Sequence, residues 1–105
     1  MTTALIADMA VDVDDDGFLT DVGQWNTRLA EEIARRNGVV ELTPRHWLVV
    51  NFMRDRYLKT GAAPSIRSLG KESGVPVKEL YELFPKGLAK LAAKVAGIPK
   101  PRGCI

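Results

Sequence analysis

The segment from Thr43 to Gly61 constrains this chain most. Thr43-Pro44 reads as a helix N-cap followed by proline at the first helical position, where a missing N–H costs nothing. Thr60-Gly61 closes the same helix. Between them stand Trp47, Leu48, Val49, Val50, Phe52, Met53, Tyr57 and Leu58, an apolar set that wraps most of a helical circumference. A helix apolar on nearly every side has to be enclosed, so the sequence predicts it as the central buried helix of a small helical domain. His46 falls in its first turn, where a structural hydrogen-bonding role ranks ahead of a catalytic one.

At 105 residues there is one domain to arrange around that helix. Residues 3–13 alternate, with Leu5, Ala7, Met9, Val11 and Val13 on one parity, which suits a short hairpin or a half-buried strand. Asp12-Val-Asp14-Asp-Asp16-Gly17-Phe-Leu19 has the spacing of the first half of a calcium loop. Position 12 of such a loop should be a bidentate glutamate, and here it is Gly23. An acidic turn with Gly17 at a positive φ is the better expectation. Asn26 can cap a helix with Leu29, Ala30, Ile33 and Ala34 inward, ending at Asn37-Gly38, with Trp25 packed under its start. Past the central helix, Ser65 caps a short helix carrying Ile66 and Leu69, and Gly74 stops it. Val77–Phe84 follows, with Leu80, Tyr81, Leu83 and Phe84 expected inward, in a helix-turn-helix pattern. A last helix, about residues 87–96, puts Leu88, Leu91, Ala92 and Val95 on one face and Lys86, Lys90 and Lys94 in a stripe beside it. Gly97 fits its C′ position, and Pro99 and Pro101 prevent continuation. The chain thus divides into a body, residues 1–97, and an arm, residues 98–105, carrying the only cysteine, Cys104.

Composition narrows the chemistry. One cysteine excludes a disulfide framework and a cysteine-based zinc site, and fits a reducing, cytoplasmic setting. No run of about 18 apolar residues or signal-like start is present, so neither a membrane span nor export is expected. His46, Cys104 and the acidic turn are scattered without ligand spacing, so no metal or cofactor is expected. Residues 1–42 carry a net charge of −6 and residues 43–105 a net of +8. From Lys86 onward there are five bases and no acidic side chain, a field that suits an anionic partner or a solvated face alike.

Two chemistries remain. Residues 65–84 look like the helix-turn-helix of TetR-type repressors, with Gly74-Val75 and Leu80-Tyr81-x-x-Phe84 as the matching part. Glu79 and Glu82 on the second helix would repel phosphates, leaving Lys78 to contact DNA, so a packing role ranks ahead of direct nucleic-acid binding. The other chemistry is that of Cys104. Lys94, Lys100 and Arg102 can favour its thiolate, but no base and orienter stand beside it for a hydrolytic triad. That leaves a persulfide carrier, or an inert thiol at a chain end. A proline-stiffened arm suits a carrier, because it limits the entropy lost on insertion into a partner.

Longer motifs bear on that choice. They are Leu83-Phe84-Pro85-x-Gly87, Ala89-Lys90 and Ala96-Gly97-Ile98-Pro99-Lys100-Pro101-x-Gly103-Cys104. Upstream stand Asp16-Gly17-Phe18-Leu19, Trp25, Leu42-Thr43-x-x-His46-Trp47 and Ala63-Pro64-x-x-Arg67. In that order they resemble the DsrC/TusE family of sulfur-relay proteins over essentially the whole chain. The resemblance implies a mainly α fold: a small orthogonal helical bundle containing the helix-turn-helix, with an N-terminal β-hairpin and an extended C-terminal arm. It implies that Cys104 carries sulfur as a persulfide, as a sulfurtransferase-type carrier and not a stand-alone catalyst. Lys100 and Arg102 would assist the thiolate and contact partners, and Arg67, Lys90 and Lys94 would line a groove for the arm. Family members serving dissimilatory sulfite reductase have a second cysteine eleven residues before the last, where this chain has Ala93. They are also expected to carry a short insertion before the Leu-Tyr-x-Leu-Phe helix that is missing here. Leu88 stands where the family usually has proline. A single cysteine resembles the TusE type, which implies a TusBCD-like sulfur donor and a tRNA-thiolase-like acceptor, for 2-thiouridine formation. The alternatives are a sulfite reductase-like complex or a DNA-binding regulator acting through residues 65–84.

Overall fold

A computed structural model describes residues 2–85 and 87–99. The chain opens with an antiparallel hairpin, β1 (Thr2–Ile6) and β2 (Met9–Val13). Its two turn residues, Ala7 and Asp8, are both left-handed, with φ of 53° and 64°. That is the type I′ geometry whose twist matches the strands, here without glycine. A two-residue turn pairs even positions with odd ones: Ile6 faces Met9, and Ala4 faces Val11. The inward set is therefore Ala4 and Ile6 on β1 and Met9, Val11 and Val13 on β2, while Leu5 points to solvent. The single parity expected across residues 3–13 holds for β2 and reverses on β1.

The acidic stretch that follows is a turn. Asp14 Oδ1 accepts the N–H of Asp16 at 2.9 Å and of Phe18 at 3.0 Å. Gly17 has a φ of 87°, and Leu19 bridges back to Val13. A short 3-10 turn, Val22–Gln24, leads to α1 (Thr27–Arg36). Asn26 caps α1 through the Leu29 N–H, and Leu29, Ala30, Ile33 and Ala34 are buried.

The long helix α2 (Pro44–Thr60) begins and ends where its caps require, at Thr43 and at Gly61 with a φ of 78°. It is not the enclosed helix, however. Only His46, Val49, Val50 and Met53 are buried on it, and Leu48 and Leu58 are 46% and 57% exposed. The short helices α3 (Ile66–Glu72) and α4 (Val77–Leu83) form the expected helix-turn-helix around Gly74. They lie so close that a Cβ on Gly70 would sit 2.5 Å from Val77 Cγ2. Leu69, Val75, Leu80 and Phe84 are buried there, whereas Tyr81, expected inward, is exposed.

The enclosed helix is α5 (Leu88–Val95), which packs against α1, α2 and α4. Leu88, Leu91, Ala92, Ala93 and Val95 are all buried, as is Ala96 after them. Small alanines let neighbouring helices approach from several sides at once, which bulky residues on α2 prevent. Among the described side chains of α5, Lys90 and Lys94 alone keep access to solvent. The molecule is mainly α, with the hairpin at its N-terminal end.

Candidate functional site

The arm emerges from the end of α5, and that end is fastened at every carbonyl of its last turn. Gly97, with a φ of 68°, donates its N–H to Lys94 O at 3.1 Å. Ile98 donates to Ala93 O at 3.2 Å, and Ala96 to Ala92 O at 2.9 Å. The first two bonds are the 5→2 and 6→1 pairs of a Schellman motif, and the buried side chains of Ile98 and Ala93 supply its apolar complement. The carbonyls of Val95 and Ala96 remain, with no backbone donor among the described residues. Trp25 Nε1–H donates to Val95 O at 2.8 Å, and Arg54 Nη1 donates to Ala96 O at 3.1 Å. Arg54 Nη2 also reaches Val22 O at 2.6 Å, and its guanidinium lies 4.5 Å from the centroid of the Trp25 ring. Burial pulls the Arg54 pKa below the usual arginine value, yet a guanidinium stays charged in proteins. The Trp25 ring covers Gly97 so closely that a Cβ there would lie 2.1 Å from Cδ1.

Ile98, the first arm residue by the sequence reading, is fully buried, and Pro99 is half-buried. Cys104, Lys100 and Arg102 lie outside the described residues, as does Lys86. Ala93 has no exposed surface. Lys90 and Lys94 share one groove of about 440 Å³ with Asp16, Phe18, Arg36, Asn37 and Leu91. Lys94 Nζ stands 5.1 Å from the centroid of the Phe18 ring. Arg67 is exposed on α3 and is not among the groove's walls.

His46 has the structural role expected of it. Its Nδ1 accepts the Thr43 N–H at 3.1 Å, taking the place of the glutamate of a capping box, and its Nε2–H donates to Leu83 O at 3.0 Å. With both nitrogens engaged, it offers no free base. Trp25 and Arg54 were the residues that sequence reasoning missed. Trp25 reads as a cover for the start of α1, and Arg54 as a polar interruption in an apolar helix. The available signal was spacing: Arg54 stands four residues after Val50 and three before Tyr57, on the edge of the buried face.

A family model described as DsrC like protein matches residues 5–105. The chain is 43% identical over 94 residues to the dissimilatory-type sulfite reductase subunit gamma of Nitratidesulfovibrio vulgaris, covering 90% of each. It is 45% identical over 103 residues to sulfurtransferase TusE of Escherichia coli K12, covering 90% of this chain and 93% of that one. Among solved structures, dissimilatory sulfite reductase I (DsrI) superposes with a TM-score of 0.89 at 38% identity, covering 99% of this chain and 100% of that one. DsrC of Allochromatium vinosum superposes with a TM-score of 0.82 at 36% identity, covering 98% and 97%.

Proposed function

We propose, on the premise that this chain belongs to the DsrC family, that it is a sulfur carrier whose working atom is Cys104 Sγ. The observation that carries this reading is the fastened root of the arm. The lone thiol follows six residues after Ile98, whose side chain is buried in the body. In the loading step the Cys104 thiolate attacks the terminal sulfur of a donor persulfide. A new S–S bond forms on Cys104, the donor's S–S bond breaks, and the donor leaves as a thiolate. Delivery is the same exchange in reverse on an acceptor, with no external oxidant or reductant. The methyl of Ala93 replaces the second thiol, so the carrier has no internal disulfide to form.

Lys100 and Arg102 favour the thiolate by their charge and contact partners, and Lys90, Lys94 and Arg67 are further arm or partner contacts. The body spans residues 1–97 and the arm residues 98–105, with the Ile98 side chain retained by the body. Partners belong to a sulfur-relay or sulfite reductase system. Within that class, a TusBCD-like donor and a tRNA-thiolase-like acceptor are the reading favoured by a single cysteine and by the likeness to TusE. Among the described residues no helix is long and apolar enough to cross a membrane. A free thiol of this kind persists in a reducing compartment such as the cytoplasm.

Mass spectrometry after incubation with a cysteine desulfurase and relay proteins tests the carrier. The wild type should gain about 32 Da, one sulfur atom, and Cys104→Ser should gain nothing. Failure of the wild type to gain sulfur from any persulfide donor would overturn the reading.

A further inference from the structure

The geometry points to Arg54 and Trp25 as positioning residues that fix where the arm begins and which way it leaves. This deepens the carrier reading and rests on it for its purpose, but the geometry is independent of the sulfur. Two side chains from distant parts of the chain close the last carbonyls of α5. One guanidinium joins three things: the Ala96 carbonyl at the root of the arm, the Val22 carbonyl of the 3-10 turn, and the face of Trp25. Only a planar fork with several donors can do this; a lysine ammonium in the same place would be a point charge on a flexible stem. Trp25 closes the other side, with its N–H on Val95 and its ring against Gly97.

The consequence is the location of the pivot. With the clamp in place, the last turn of α5 is held against fraying as far as Ile98. Cys104 is then about 20 Å away at most, six extended residues. Without the clamp, fraying by about a turn moves the fixed point back, so that roughly ten residues separate it from Cys104. Dilution of the tip by that lengthening is only about twofold, on the −3/2 power of length. Length is therefore the minor effect. Direction is the larger one, because a fixed root followed by the ring-locked φ of Pro99 sets the heading at which the chain leaves the body. A root that swings loses that orientation altogether.

The single cysteine provides the test. A nitroxide spin label on Cys104 broadens the amide resonances of whatever part of the body the tip visits. In the wild type, broadening should be confined to one contiguous patch. In Arg54→Met, a folded protein should show broadening spread over at least twice as many amides. Arg54→Lys should resemble Arg54→Met, since charge is kept and the fork is lost. Trp25→Phe, which keeps a ring over Gly97 and loses the donor to Val95, serves if Arg54→Met does not fold, and should also spread the pattern. An unchanged patch in these variants would overturn the inference, as would a wild type whose label broadens every face alike. Recovery of the wild-type patch in Arg54→Lys would show that charge suffices and would overturn the role of the fork. The gain of about 32 Da on the unlabelled wild type is read separately, so failure of the clamp and failure of the carrier are distinguishable.

Discussion

Gly97 is the residue on which the root of the arm turns, for two separable reasons. Its φ of 68° disfavours any side chain, and a Cβ would meet Trp25 at 2.1 Å. Gly61 offers the comparison, since it has a φ of 78° and nothing within 4 Å of a Cβ. Gly61→Ala should cost only the backbone penalty, about 1 kcal/mol. Gly97→Ala should cost about 3 kcal/mol, backbone penalty plus overpacking against an anchored ring. Urea unfolding of the two variants measures the difference, and equal losses would mean that the Trp25 ring yields. A glycine before Ile-Pro already reads as a helix stop in the sequence. The indole above it does not, because Trp25 lies seventy residues from the carbonyl it binds.

At the scale of elements, the helix-turn-helix acts as a packing unit. Gly70 lets α3 meet Val77, Leu80 and Phe84 enter the core, and Arg45 on α2 holds Glu79 on α4 through two bonds of 2.7 and 2.8 Å. That hydrogen-bonded guanidinium keeps the Glu79 carboxyl below its ordinary pKa of 4.5. A carboxylate depressed in the folded state contributes stability that is fully present above the unfolded pKa and lost as pH falls through the folded one. The stability gap between wild type and Glu79→Gln should therefore be open at neutral pH and close as pH drops below 4.5. Urea titrations at about pH 7 and pH 3 read this directly, and a gap that persists in acid would remove the ion pair as its cause. The pairing of α2 with α4 was not legible from spacing, since the two residues are 34 apart. Helix existence and caps were legible, because Thr43, Asn26, Ser65 and the stop glycines act within a few residues of themselves.

Along the chain, the charge divides between an acidic first part and a basic second part, and Lys90 and Lys94 of the second line a groove with Asp16, Arg36 and Asn37 of the first. Such a field acts on encounter more than on chemistry. Reversing both lysines to glutamate should raise the KM of sulfur transfer to a relay partner about tenfold while kcat stays within about twofold. Added salt should weaken capture of the wild type more than of the variant. A fall in kcat at constant KM would instead place the lysines in the transfer step.

The sequence by itself determined the segmentation of this protein: the caps, the stops, the helix-turn-helix, and a proline-rich arm ending in one thiol. Those are set by backbone chemistry acting between neighbours, and a few residues are enough to read it. Which helix is enclosed was decided only in three dimensions. A long apolar helix, α2, left Leu48 and Leu58 outside, while the alanine-rich α5 was small enough to be surrounded. The clamp on the arm was decided there too. Among the described residues, the carbonyls of Val95 and Ala96 have no backbone donor, and their partners, Trp25 and Arg54, come from far along the chain.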